Sequence, residues 1–182
     1  MVLSKNMQKL VAGSSTIRKL FEEGIELAKE VGAENVYDFS LGNPAAPVPE
    51  EVKKSIYDIL ENRNANFVHC YMPNAGYPEV REKVAANLNK KYDSSFTKED
   101  IIMTVGAAGG INCVLRCLLE QEDEVLCFAP FFGEYNSYVM NFGGNLKVVP
   151  ADYETFQLNV EEADKYITER TKAVIINNPN NP

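Results

Sequence analysis

The stretch Ile101–Glu120, IIMTVGAAGGINCVLRCLLE, constrains the fold of this chain more than any other. Ile101–Val105 is a short run of β-branched and apolar types, which predicts a buried strand. Gly106, Ala107, Ala108, Gly109 and Gly110 follow, with no side chain larger than a methyl group. Ile111, Val114, Leu115, Leu118 and Leu119 then recur at helical spacing, so the order is strand, tight small-residue loop, helix. A helix N-terminus presents unpaired N–H groups and the positive end of the helix dipole. Small residues let an anion such as a phosphate approach those groups closely. The expectation is a phosphate seat at Gly106–Ala108. The same residues also allow a plain strand-to-helix turn that binds nothing.

The remainder of the chain alternates in the same way. Met1–Gly13 lacks periodicity and reads as an arm. Ser14 or Ser15 can cap a helix carrying Ile17, Leu20, Phe21, Leu27, Ala28 and Val31, which Gly32 ends. Val36–Ser40 reads as a short extended segment. Pro49 suits the first turn of a helix whose buried stripe is Val52, Ile56, Ile59 and Leu60. A loop rich in Asn and aromatics, Asn62–Gly76, is longer than the usual connection, and such loops are often functional. Pro78 begins another helix, with Val80, Val84, Ala85 and Leu88 on one face. Val125–Phe128, Leu146–Val149 and Lys172–Ile176 read as three further strands. Between them stand a helix with Tyr135, Tyr138, Val139 and Phe142, and one capped by Asn159. This alternation implies an α/β fold, a three-layer sandwich with a mostly parallel sheet covered by helices.

In such sheets ligands collect beyond the carboxyl ends of the strands. Three strand ends are chemically unusual: the Gly/Ala loop, Pro130-Phe131-Phe132-Gly133, and Asn177-Asn178-Pro179-Asn180-Asn181-Pro182. They supply an anion seat, a flat aromatic wall and amide donors, which together suit a planar, phosphorylated ring. Other nucleotide sites fit less well. A dinucleotide fingerprint needs GxGxxG, and Gly106, Gly109 and Gly110 stand in the wrong register. A Walker loop needs Lys-Ser/Thr where Ile111-Asn112 stand. With a formal net charge of −8 and no basic cluster, neither nucleic acid nor an anionic membrane is an expected partner. No apolar run approaches the roughly 20 residues of a membrane span, and Met1–Val11 has no signal-peptide core. Cys70, Cys113, Cys117 and Cys127 show no CxxC spacing. Cys113 and Cys117, four apart on the apolar side of a helix, read as core thiols. A single histidine, His69, makes a His-based metal site improbable, so no metal is expected. The thiols point to a reducing, cytoplasmic setting.

The closing run Asn177-Asn178-Pro179-Asn180-Asn181-Pro182 resembles the NNPxNP segment of class I/II aminotransferases, fold-type I enzymes that use pyridoxal 5′-phosphate. Four further pieces fall in that family's order. Ser40-Leu41-Gly42-Asn43-Pro44 resembles its substrate-side glycine loop. Tyr71–Arg81 resembles Y-x-P-x-x-G-x-x-x-L-R, with Val80 in place of Leu. Val105–Gly110 resembles the phosphate loop, G-A-x-x-A-L, and Ala129-Pro130-Phe131-Phe132 the P-x-[YFW] ring-stacking segment. The likeness runs from about Ser14 onward and implies an α-amino acid: 2-oxo acid aminotransferase with pyridoxal phosphate as cofactor. By resemblance, Asn181 gives its amide to the cofactor's ring oxygen and Phe132 stacks on the ring. The N–H groups of Ala107 and Ala108, in the loop opened by Gly106, hold the phosphate, without the hydroxyls many relatives add there. Tyr71 reaches the neighbour's cofactor phosphate across a homodimer, and Gly42 lines the carboxylate side of the substrate.

The family also requires a Schiff-base lysine, an acid on the pyridinium nitrogen and two arginines, all placed beyond Pro182. Lys53, Lys54, Lys83, Lys90, Lys91 and Lys165 read as helix-surface residues, and Lys147 and Lys172 lie in or beside strands away from the site. The resemblance therefore implies an incomplete chain with no catalytic residue of its own, inactive by itself. Its expected organisation is an arm at 1–13, a small-domain part at 14–45, and the first half of a large cofactor-binding domain at 46–182. An aspartate or aromatic amino donor is compatible with it. A β-lyase or decarboxylase on the same fold, or a non-catalytic aminotransferase-like binding module, are the alternatives.

Overall fold

A computed structural model describes residues 2–12, 16–40, 42, 46–152, 154–155 and 157–181. The caps expected at Ser14 or Ser15, and Leu41, Asn43, Pro44 and Pro182 of the two quoted motifs, lie outside the described residues. The chain divides into two compact units, Met1–Cys70 and Tyr71–Pro182.

The first unit is helical. Lys5–Ala12 forms α1 where the sequence reads as an aperiodic arm. Thr16–Val31 forms α2, and Gly32, at φ +89°, terminates it with its N–H donated to the Ala28 carbonyl. That left-handed φ suits glycine, which has no Cβ to clash. A 3₁₀ turn covers Ala33–Asn35. Glu50–Asn62 forms α3, with Pro49 at its N-cap, and Ala65–Val68 forms α4, capped by the Asn64 side chain on the Asn66 N–H. The expected buried stripe on α3 is not buried: Val52, Ile56, Ile59 and Leu60 are each at least 43% exposed. Periodicity identifies an apolar face but cannot say what covers it. In this unit no described residue is buried.

The second unit holds the sheet. Pro78–Tyr92 forms α5, with Pro78 in its first turn and Asp93 left-handed at its end. Thr97 and Asp100 make a reciprocal capping box around the 3₁₀ turn Lys98–Asp100. Ile101–Val105 then runs on without forming a strand, contrary to its composition. A strand exists only where a ladder partner accepts its hydrogen bonds, and no described strand lies beside this run; Ile102 and Val105 are exposed. Gly106–Leu118 forms α6. The predicted small-residue loop is thus the helix's own first turn, because packing further along the helix overrides the poor propensity of its glycines.

Glu124–Phe128 forms β1, Glu134–Met140 α7, Asn145–Val149 β2, Val160–Ala163 α8 and Thr171–Ile175 β3. The three strands make a parallel sheet in the order β2-β1-β3, with Phe128 opposite Val149 and Cys127 opposite Ile175. Every residue of β1 is buried. Its side chains alternate between two cores, as the pleat requires. Val125 packs with Leu115, Leu119 and Val139 from α6 and α7. Leu126 and Phe128 pack on the other face with Val149 and with Ala163 of α8. Helices therefore cover both faces of the sheet, which is the three-layer α/β arrangement.

Cys113 and Cys117 are exposed and not core. At roughly 100° per residue they stand about 160° from Leu115, on the far side of α6. Only Cys127 is buried, and burial pushes its thiol up to about 11. A thiol titration of the native protein at pH 8 should consume Cys70, Cys113 and Cys117 and leave Cys127 until denaturant is added. Rapid native reaction at Cys127 would contradict this placement.

At the amino end of β1, Glu124 is buried and accepts a hydrogen bond from the Thr168 hydroxyl at 2.6 Å, with Lys147 Nζ at 3.2 Å. The Thr168 bond, then Lys147, holds its carboxyl below the usual range against the opposing effect of burial. A carboxylate lowered on folding stabilises above its unfolded pKa and loses that contribution as pH falls through the folded value. Glu124→Gln should therefore lower the melting temperature at pH 7, and the gap to the natural protein should close below pH 4. A gap that persists unchanged at pH 3 would show the charge is irrelevant.

Candidate functional site

The short return Glu120–Asp123 joins the end of α6 to the start of β1, with the Glu120 N–H donating to Asp123 Oδ2 at 2.9 Å. The helix consequently runs back along the strand, packed through Leu115 and Leu119 on Val125. Its first turn, Gly106–Ala108, thus lies toward the carboxyl ends of the strands. Gly106 has φ +68°, and a Cβ built there would meet nothing within 4 Å. Ala107 and Ala108 are exposed. First-turn N–H groups have no carbonyl one turn back to bond, and α6 has no acidic residue in that turn. Open space, reachable donors and the absence of a competing carboxylate fit a phosphate ester.

The turn is fixed from behind. The Thr104 carbonyl accepts the Gly106 N–H at 3.0 Å, and the Thr104 hydroxyl donates to the Gly106 carbonyl at 3.0 Å. Thr104 Oγ1 would also stand 3.2 Å from a Cβ on Gly110, so Gly110 keeps this hydroxyl close to the helix.

The other two unusual strand ends meet each other. β1 leads into Ala129-Pro130-Phe131-Phe132, and β3 into Ile176–Asn181. The Asn180 side-chain amide donates to the Pro130 carbonyl at 2.9 Å. Cys127, Phe131, Tyr135, Ile175, Asn177 and Asn180 line one small cavity beneath them. Phe132 is partly buried and meets Tyr135 edge-on, ring centroids 5.7 Å apart at 81°. Asn181 is exposed at the same end. The Ala129–Pro130 and Asn178–Pro179 peptide bonds are both cis. A larger cleft of about 580 Å³ lies at the opposite, amino end of the sheet, beside Arg116, Asp123 and Lys172, and holds none of the expected site residues.

By its connectivity the first turn of α6 faces the carboxyl ends of the strands, and Phe132 and Asn181 stand beside the tie between β1 and β3. Tyr71 opens the second unit with its side chain fully exposed and has no described partner there. Gly42 is exposed and belongs to the first unit. Among the described residues no group of three or more His, Cys, Asp or Glu side chains could hold a metal ion, and no helix is long and apolar enough to cross a membrane. Lys53, Lys54, Lys83, Lys90, Lys91 and Lys165 are all exposed. Lys147 and Lys172 point to Glu124 and Asp123 at the amino end of the sheet, away from these groups. Sequence reasoning missed Asn180, which carries the tie between the two strand ends. It also missed Thr104, whose only sequence signal was its place two residues before Gly106.

Residues 33–182 match the family model described as aminotransferase class I and II. Aromatic-amino-acid aminotransferase 2 of Thermococcus litoralis is 36% identical over all of this chain and 44% of its own length. The aspartate aminotransferase of Pyrococcus abyssi is 36% identical over 92% of this chain and 41% of its own. Among solved structures, an amino transferase from Eubacterium rectale superposes with a TM-score of 0.93 at 39% identity, over all of this chain and 46% of that one. The chain spans less than half the length of these relatives. With its parallel α/β sheet, it corresponds to part of the fold-type I large domain, and it belongs to the class I and II aminotransferases, a family of pyridoxal phosphate-dependent enzymes.

Proposed function

We propose that this chain provides the phosphate and ring contacts of a pyridoxal phosphate-dependent amino-acid aminotransferase. The observation that supports the reading is the open first turn of α6, together with the tied ends of β1 and β3 that carry Phe132 and Asn181. The N–H groups of Ala107 and Ala108, beside Gly106, hold the phosphate through neutral donors and the helix dipole. Phe132 lies against one face of the ring and keeps water from it. Asn181 donates its amide to the ring oxygen. Tyr71, free of local contacts, reaches the phosphate of a second copy in a homodimer, and Gly42 lines the carboxylate side of the substrate. When bound, pyridoxal phosphate supplies the electron sink that allows an amino group to pass between an α-amino acid and a 2-oxo acid.

The chain's own residues bind and orient; they do not move the proton at the substrate's α-carbon. The eight lysines named above are on the surface or paired at the far end of the sheet. We place the lysine that bonds the cofactor, the acid on its ring nitrogen and the two arginines beyond Pro182, in keeping with relatives more than twice as long. The corresponding domain division is an arm at 1–13, a small-domain part at 14–45 and half of a large domain at 46–182. Aspartate or an aromatic amino acid is the proposed donor, since proteins named for both are among its relatives. Four free thiols support a reducing, cytoplasmic setting.

The test is intact mass after incubation with pyridoxal phosphate and borohydride reduction, followed by keto-acid assays. The full-length protein should gain one pyridoxyl group and turn over an amino donor, and residues 1–182 alone should gain none. A stoichiometric adduct on one of the lysines named above would overturn the division of roles.

A further inference from the structure

Arg81 is a buried charge that the cofactor contacts do not use. It is 8% exposed, near the start of α5. Its Nη1 donates to the Lys98 carbonyl at 2.7 Å and, more weakly, to the Ile101 carbonyl at 3.4 Å. The Glu99 carboxylate, largely in solvent, stands 3.9 Å away, and the buried Nε has no partner. Burying a guanidinium on so few partners is unfavourable compared with an apolar side chain of similar size. What the arginine adds is a fixed position for two backbone carbonyls.

Those carbonyls belong to the segment that leads into α6. Ile101–Val105 has no ladder partner among the described residues, so other contacts must set where it runs. The Met103 N–H donates to the Ala75 carbonyl at 3.0 Å. The Met103 side chain lies on Gly76, where a Cβ would come within 2.6 Å of Cγ, and Gly76 holds φ +94°. Arg81 and these two contacts all come from Ala75–Arg81, and together they hold residues 98, 101 and 103. Thr104 follows at once, bonded twice to Gly106. A continuous set of short contacts thus connects the Arg81 guanidinium to the first residue of α6.

We propose that Arg81 is a positioning residue for the anion seat: by holding the Lys98 and Ile101 carbonyls it fixes where Thr104–Ala108 stands and where the first N–H groups of α6 point. This rests on the reading that those N–H groups take the cofactor's phosphate. Arg81 touches neither cofactor nor substrate; it acts through backbone. Its removal should therefore weaken the phosphate-dependent part of binding while leaving the ring contacts of Phe132 and Asn181 in place.

The experiment uses the full-length apoprotein, natural and as R81M and R81K. Dissociation constants are measured for pyridoxal 5′-phosphate and for pyridoxal, which lacks the phosphate, and amide hydrogen exchange is followed over residues 101–108. In R81M the preference for the phosphorylated form should fall about ten-fold or more, the scale of a lost charge-assisted hydrogen bond. Affinity for pyridoxal should stay within about three-fold, well under 1 kcal/mol. Exchange at the bonded N–H groups of Met103 and Gly106 should quicken while α6 beyond Leu115 stays protected. R81K should fall between, because an ammonium keeps the charge but sits on a more flexible stem without the rigid plane that holds Nη1 against both carbonyls. An unchanged preference, or equal losses for both ligands, would overturn the proposal. If R81M does not fold, R81K decides: a reduced preference supports it and an unchanged one overturns it. A natural protein that binds both ligands equally would overturn the phosphate reading itself, and the role of Arg81 with it, before any variant is compared.

Discussion

Ala107→Asp is expected to reduce affinity for pyridoxal phosphate about 100-fold or more while leaving the apoprotein as stable as before. Ala107 is exposed in the first turn of α6, which contains no acid. An aspartate there faces the positive end of the helix and should stabilise it by about 0.3–1 kcal/mol. It also places a carboxylate where the phosphate must sit. Two unit charges 4 Å apart at an effective dielectric near 20 repel by about 4 kcal/mol, and solvent at this open site reduces that to about half. Even half that energy exceeds a ten-fold loss, and the phosphate carries close to two charges. The opposite signs on stability and binding separate a ligand seat from a structural turn. Cofactor titration followed by absorbance, together with a thermal melt of the apoprotein, measures both. Binding as tight as that of the natural protein would move the seat elsewhere.

Leu126→Ala is expected to lower folding stability by about 2–5 kcal/mol, the usual effect of emptying a leucine-sized site in a core. Leu126 is 1% exposed at the middle of the central strand and packs with Phe128, Val149 and Ala163. Both neighbours of β1 hold their register against it, Lys147 on one side and Val174 on the other, so the site cannot collapse without disturbing two ladders. A loss of that size is a large part of the roughly 5–15 kcal/mol that holds a typical domain folded. Leu126→Met, which keeps the volume, should stay under about 1.5 kcal/mol. Urea denaturation gives the comparison. Equal midpoints for the alanine and methionine variants would mean that β1 is not the centre of the core.

Much of this architecture was legible because local chemistry and packing agree. The helical spacing of Leu115 and Leu119, the Asn159 cap and Pro78 in a first turn all state their roles within a few residues, and the structure bears them out. The apolar run Val125–Phe128 read as a strand, and the structure covers it on both faces. Where the reading failed, the deciding partner was not local. Ile101–Val105 has a strand's composition but no ladder among the described residues. Cys113, Cys117 and the apolar side of α3 have helical periodicity but no cover. Arg81 reads in sequence as the closing residue of a family signature with no role attached, and only the carbonyls of Lys98 and Ile101 give its burial a meaning. The site residues were chosen from small, aromatic and amide side chains at strand ends. That chemistry can be read from single residues, whereas Asn180 could be noticed only once Pro130 stood beside it.

The strand order β2-β1-β3 also bears on how the chain is made. Among the described strands β1 is the first to leave the ribosome and the only one paired on both sides, yet β3 is the last. Between Phe128 and Ile175 the ribosome must complete α7, β2 and α8. At about 5–20 residues per second that takes roughly 2–10 s. Throughout that interval one edge of the most apolar strand has no mate, and Leu126 and Phe128 lack part of their cover. A nascent chain of this design offers molecular chaperones a timed target, and slow translation of residues 150–170 would lengthen its exposure.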